Sequence, residues 1–312
     1  MTGSIHRRIA DRIRGDGETA RASGPIAATD LLGGVLAEVV HTVPYSSASQ
    51  FYEYFGDTPA DTRYGKSCAW QSFEVGRRLA AVGGPTVRYH VDGRHVAAVV
   101  HSDEGLDVLD PYLMHLEPVR LRHADARPDG SVVAAVPALP IRLDADGSPR
   151  PGRVRASWLP RRNRLKLEYL RFSPTRGHHV VSRFFTLPTD RELRVVPPPA
   201  DVIRPLLVHP EQNNISVRVV DPQDGQVREV IYPLGQVGPR APVDADRLCA
   251  RDNQGAVIRH GHPDFTDTVG AIAHSLGVVP AEVLGFVLGG ARIHRQVSPG
   301  ELELAEYQLV NE

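Results

Sequence analysis

Cysteine is scarce in this chain: 312 residues contain only Cys68 and Cys249. A secreted scaffold of this length held together by disulfides would carry more. Lysine is nearly missing as well, at Lys66 and Lys166 only, so arginine supplies almost all the positive charge. Neither sign of charge dominates: 36 basic against 37 acidic side chains leave a net charge of −1. That balance argues against a general electrostatic grip on nucleic acid or on an anionic membrane. No run approaches the roughly eighteen unbroken apolar residues of a spanning helix. Residues Met1 to Gly24 are polar and arginine-rich, without the apolar core of a signal peptide. A cytoplasmic location is the default expectation. What is present is a hydrophobic fraction of 41%, enough for a packed core and too much for a disordered chain. The length predicts two or three domains or subdomains.

Helical spacing comes first along the chain. Ile5, Ile9 and Ile13 mark a short amphipathic helix over 5–14, and Asp30 to His41 reads as a second helix capped by Asp30. A third is predicted from Cys68 to the Gly83-Gly84 pair, with Ser67 at the N-cap, Gly83 just past the end, and Ala69, Phe73, Gly76 and Ala80 on the inward face. After Pro85 the period falls to two. Thr86–Val91 and His95–Val100 read as strands about an Asp92-Gly93 turn, which sets His90 opposite His95; Leu106–Leu109 follows as a third strand. Residues 120–150 are rich in Pro, Asp and Gly around one apolar run, Val132 to Pro137. Further strands are predicted at Arg164–Phe172, Val180–Leu187, Ser216–Val220 and Val227–Tyr232, and helices at Asp267–Leu276 and Pro280–Ile293, the latter opened by proline.

Cys68 carries the chemical interest. A thiol in the first turn of a helix meets unpaired N–H groups and the positive end of the helix dipole, both of which favour thiolate. The plainer alternative is a buried core cysteine. A nucleophilic thiol needs a base, and the base an orienting group. His95 lies on the second strand. A two-residue turn at Asp103-Glu104 pairs Ser102 with Gly105, which makes Asp110 a diagonal neighbour of His95 on one face. A slip of one residue would separate them. His101 with Asp107 is the rival pair. His260-x-His262 and His178-His179 lack a third spaced ligand, so loop histidines are expected there and no metal. No phosphate-cradling Walker-type loop is present. The helix pair at the C-terminal end has an apolar, acidic second helix, which suits packing better than DNA reading. Phe51, Tyr52 and Tyr54 are candidates for a pocket wall or for packing.

A cysteine at a helix start, then histidine on a strand, then aspartate on the next strand is the order used by papain-like, transglutaminase-like and arylamine N-acetyltransferase-like enzymes. The chain resembles the arylamine N-acetyltransferase family in several places. Leu31 to Tyr45 is similar to the family's helix and the segment after it. Gly65-Lys-Ser-Cys68 stands where the family has Arg-Gly-Gly-x-Cys. Leu79 to Gly83 resembles the helix end, and His95 to Asp110 spans fifteen residues, similar to the family's His-to-Asp spacing. Ser216 to Gly235 and Ile272 to Val279 resemble its later hairpin and C-terminal helix with loop. The departures are one glycine of the pair before the cysteine, Trp70 in place of an acidic residue, and Pro111-Tyr-Leu-Met114 in place of a glycine-containing stretch. Asp110-Pro111 is similar to transglutaminase-like hydrolases.

The resemblance implies an α+β protein. It would have a helical subdomain over residues 1–84 carrying the nucleophile, an antiparallel, barrel-like β subdomain over 85–240 carrying His and Asp, and an α-containing region over 241–312. It implies a catalytic Cys68–His95–Asp110 triad and acyl transfer from a thioester to a small-molecule amine or similar nucleophile through an acyl-enzyme. The co-substrate would be acyl-CoA or an acyl-carrier protein of the kind used in specialised metabolism, with no permanently bound cofactor. The alternatives are a transglutaminase-like peptidase or amidase, and a binding module without activity.

Overall fold

The computed structural model describes residues 28–57, 59–235, 242–307, 309 and 311–312. The helix predicted over 5–14 lies outside them. The first described helix, α1 (Ala28–Thr42), begins two residues before Asp30, so Asp30 is inside it and not its cap. After it come the two-residue strand β1 (Tyr45–Ser46), α2 (Ala48–Phe55) and α3 (Cys68–Ala81).

Helix α3 starts and stops where the sequence places it. Ser67 holds the extended N-cap backbone, and Gly83, at φ +69°, takes the left-handed conformation past the end. Its buried face differs from the expected one. Ser72, Val75 and Leu79 form the inward stripe with Gln71 and Phe73, while Ala80 is exposed. Two polar residues join the core because backbone carbonyls receive them: Gln71 Nε2 donates to Val43 O at 2.7 Å and Ser72 Oγ to Val96 O at 2.8 Å. Gly76 is a point of close approach, since a Cβ there would lie 1.9 Å from the Tyr89 hydroxyl.

The strands form three antiparallel sheets. The first is a four-stranded meander, β2 (Val87–Asp92), β3 (His95–Ser102), β4 (Gly105–Leu109) and β5 (Val119–Arg122). The second is another, β6 (Val132–Leu143), β7 (Pro149–Leu159), β8 (Arg164–Ser173) and β9 (His178–Pro188). The two meanders touch along β5 and β6 and along β2 and β9, yet among the described residues neither closes into a barrel. The segment 120–150, read as turn-rich, contains most of the long β6–β7 hairpin. Pro140 sits in the register shift between Ala138 and Ile141 and Pro149 at a strand end, where a missing N–H is tolerated, while Pro137 pairs with Arg153 in the ladder.

After α4 (Ala200–Leu207), the third sheet runs in the order β1, β10 (Asn214–Val220), β11 (Val227–Pro233), β12 (Cys249–Arg251) and β13 (Val257–Arg259). Helices α5 (Pro263–Leu276) and α6 (Pro280–Val297) complete the chain's regular structure, bent by 91° to each other. No single helix among the described residues is long and apolar enough to cross a membrane.

There are two cores. One packs α1 and α3 on the two meanders, with Leu36, Val39, Val75, Val99, Val108 and Leu165 among its sealed side chains. The other packs α2, α5 and α6 on the third sheet around Phe51, Ile215, Tyr232, Ile272 and Val287. Strand β1 is one link between them, and Val220 and Val227 of β10 and β11 also reach the first core. Tyr45 pairs with Arg218 on one side and forms a parallel bridge with Lys66 on the other.

Candidate active site

Cys68 is the first residue of α3 and is half-buried. The approach to it is rigid. Lys66 N donates to Pro44 O at 2.9 Å, Ser46 N to Lys66 O at 2.8 Å, and Ser49 Oγ to Gly65 O at 2.8 Å. Gly65, at φ +82°, permits this contact; a Cβ would meet Pro44 O at 2.0 Å. The thiol lies 3.9 Å from the Arg94 carbonyl, and the Lys66 ammonium sits 5.2 Å above the Trp70 ring.

Arg94 belongs to the turn that delivers His95. The ladder pairs Asp92 with His95, so Gly93 and Arg94 are the two turn residues and His90 faces Ala97. This corrects the expected Asp92-Gly93 turn and its His90–His95 pairing. Gly93 alone of the two has positive φ, at +52°, which fits a II′ turn with glycine first. The next connection has the expected register: Ser102 lies opposite Gly105 and Ala98 opposite Leu109. Asp110 follows one residue beyond β4, on the side of His95.

The two side chains meet there. His95 Nε2 and Asp110 Oδ2 are 2.7 Å apart, and both residues are sealed from water. A carboxylate accepts, so Nε2 carries the proton, and Nδ1 is buried without a hydrogen-bond partner. Burial disfavours a charged ring. The Asp110 carboxylate outweighs it by charge and hydrogen bond, Cys68 adds to the effect, and the imidazole is pushed up to about 10. Phe185 stacks on the ring at 3.8 Å between centroids, and Tyr112 lies 5.4 Å away.

The sequence reading missed one contributor. His115, fully buried, accepts the Asp110 N–H at Nε2 (3.0 Å) and donates from Nδ1 to Glu117 O (2.7 Å). Burial lowers its pKa, which keeps it neutral for this relay. It returns toward Asp110 through a turn over Pro111–Leu113 and a left-handed Met114, at φ 56°. The pairing needs that turn, and the only hint in the sequence was a histidine five residues after an Asp-Pro.

The rival pair separates. His101 Nε2 lies 2.9 Å from His90 Nε2, and Asp107 binds Arg122 Nη2 at 2.7 Å. His90 Nδ1 also donates to Arg191 O at 2.8 Å. Phe51, Tyr52 and Tyr54 are packing residues: Tyr52 stacks on Phe286, and Phe51 stacks on Phe55 and abuts His294. Among the described residues, no cluster of His, Cys, Asp or Glu is arranged to hold a metal. Cys249 is buried, and burial pushes its thiol up.

No family model matches the chain, and no curated protein matches it. Among solved structures, it is similar to the arylamine N-acetyltransferase from Mycobacterium abscessus, at 13% identity and a TM-score of 0.39, over 92% of this chain and 95% of that one.

Proposed function

We propose that the chain is a cysteine-dependent acyltransferase. The observation that carries the reading is the buried His95–Asp110 bond at 2.7 Å, with an unpartnered His95 Nδ1 and with the Cys68 thiol 3.9 Å from the carbonyl of the residue before His95. That is the arrangement of nucleophile, base and orienting group that covalent acyl transfer requires.

In this reading the Cys68 S–H proton passes to His95 Nδ1, and sulfur attacks the carbonyl carbon of a thioester. The tetrahedral intermediate collapses by breaking the carbon–sulfur bond of the donor, and the departing thiolate takes the proton from the imidazolium. An amine then attacks the acyl-enzyme. His95 accepts its proton and returns it to the Cys68 sulfur as that bond breaks. Asp110 holds the ring tautomer throughout and supports its positive charge. Backbone N–H groups at the start of α3, at Cys68 and Ala69, are the candidates for receiving the oxyanion. Acyl-CoA or an acyl-carrier protein would be the donor and a small amine the acceptor. The Asp110-Pro111 sequence favours a second reading, in which water resolves the acyl-enzyme and the chain acts as a peptidase or amidase.

Intact-mass measurement after incubation with acetyl-CoA, longer acyl-CoAs and acyl-carrier protein tests the proposal. One acyl adduct on Cys68, discharged by an amine and absent from Cys68→Ala, is expected. An adduct that survives in Cys68→Ala would overturn it. Cleavage of amide substrates without any thioester adduct would favour the second reading. Iodoacetamide at neutral pH is expected to alkylate Cys68 much faster than Cys249.

A further inference from the structure

The site's tyrosine wall has another side. Tyr45 and Tyr112 pack against each other, with centroids 5.0 Å apart. Tyr112 borders His95, and the Tyr45 phenol is electrostatically linked to Cys68. Behind the two rings opens a small cleft of about 40 Å³, and a second of about 20 Å³ shares Arg171, Arg218, Glu229 and Arg251 with it. Strands β6, β8, β9, β10 and β12 send five arginines to line them: Arg142, Arg171, Arg183, Arg218 and Arg251. The lining supplies two carboxylates, Glu229 and Asp252.

The pairing within the cleft leaves donors over. Glu312 reaches in and binds Arg171 together with Arg142 (2.9 Å), and lies 3.7 Å from Arg251. Glu229 lies 3.9 Å from Arg251, too far for a hydrogen bond. Arg251 is 7% exposed, and its Nε finds no acceptor; the Nε of Arg171 is buried and equally without one. Arg218 has no ion pair at 4.0 Å or less among the described residues. Its guanidinium lies 4.9 Å from the centres of both tyrosine rings, and its Nη2 donates to Tyr112 O at 2.9 Å. Buried guanidinium groups that keep N–H donors unused are costly unless an acceptor arrives. Planar forks converging on one space match the oxygens of a carboxylate or a phosphate. The Glu312 carboxylate, hydrogen-bonded by Arg142 and Arg171 with Arg251 close by, is an internal instance of the fit.

We infer that this cleft is an anion-binding subsite, and that it receives a carboxylate or phosphate carried by the molecule whose acyl carbon reaches Cys68. Its use in catalysis rests on the acyl-transfer reading; its capacity to bind an anion does not. Arg218 is the specificity-determining residue, because it stands between the charge cluster and the ring that borders His95.

Two measurements test the inference separately from that reading. In the first, the full chain is titrated with inorganic phosphate and with succinate at constant ionic strength, and thermal unfolding is followed. Saturable stabilisation by at least one of them, weakened about tenfold or more in Arg218→Gln, is expected. The stronger anion identifies the source as phosphate or carboxylate. No saturable effect, or an equal effect in a folded Arg218→Gln, overturns the inference. Should Arg218→Gln fail to fold by circular dichroism, Arg183→Gln at the exposed rim serves in its place. In the second, p-nitrophenyl acetate is compared with mono-p-nitrophenyl glutarate as acyl donor. The glutarate-to-acetate ratio of kcat/KM is expected to fall about tenfold in Arg218→Gln, and an unchanged ratio overturns the assignment to this subsite. Anion binding without any reaction at Cys68 would remove the acyl-transfer reading and leave the subsite standing. Reaction with both esters without anion binding would do the reverse.

Discussion

Strand β3 carries two histidines whose surroundings drive them in opposite directions. His95 at one end is buried against a carboxylate and is pushed up to about 10. His101 at the other end meets a second imidazole and is held down to about 4, by burial first and then by the charges of His90 and Arg88. The His90 Nδ1–H is committed to a carbonyl, so its Nε2 accepts from His101. A further proton on that pair would set two N–H groups against each other. Burial is common to both sites; the partner decides the sign. One strand therefore holds one imidazole that keeps its proton and another kept neutral.

The largest break in this contrast is expected from Asp110→Asn. Nε2 would lose the carboxylate that raises the ring and fixes its tautomer, and acylation at Cys68 should fall by about 10³-fold or more in stopped-flow or mass measurements. Near-normal acylation would show that His95 works without an orienting group. His115→Phe comes next. It withdraws the acceptor of the Asp110 N–H while filling the same volume, and a loss of about tenfold in kcat with little change in KM is expected. As a positioning residue, His115 should also shift the pH profile of acylation when replaced, which a merely structural role would not do.

The pH dependence of stability gives the smallest effects and sharpens the contrast most. His95 binds its proton more tightly in the folded state, so its contribution is complete below the ordinary histidine value near 6.5 and is lost as pH rises toward about 10. His101 and His294 are depressed to about 4, so the unfolded chain binds more protons between 4 and 6.5 and stability falls as pH drops through that window. Urea midpoints across pH should therefore decline on both sides of neutrality. Asp110→Asn should flatten the alkaline side alone and His101→Phe the acid side alone. Crossed or absent effects would break the assignment.

Much of the hairpin framework was legible because short turns fix register. Ser102 and Gly105 bracket two residues, and every partner along β3 and β4 follows from that. The preceding turn was harder, since both Asp92-Gly93 and Gly93-Arg94 place glycine where positive φ is allowed, and only the ladder distinguishes them. The buried face of α3 escaped a hydrophobic reading because Gln71 and Ser72 are polar and donate to carbonyls of distant segments. The arginine cleft left no trace at all. Its members come from five strands, each arginine looking like an ordinary solvent-facing residue until the sheets assemble.

The shortest strand has the widest consequence. Ser47 and Ser216, 169 positions apart, clasp one another through Ser47 N to Ser216 O at 3.0 Å and Ser216 N to Ser47 Oγ at 2.9 Å, next to the bridge that aligns Tyr45. Closing so long a loop comes late, after local hairpins have formed. A nascent polypeptide lacking β10 would already own Cys68, His95 and Asp110, yet not the strand that anchors Tyr45. Completion of the chain is what fixes β1 beside the segment that leads into Cys68.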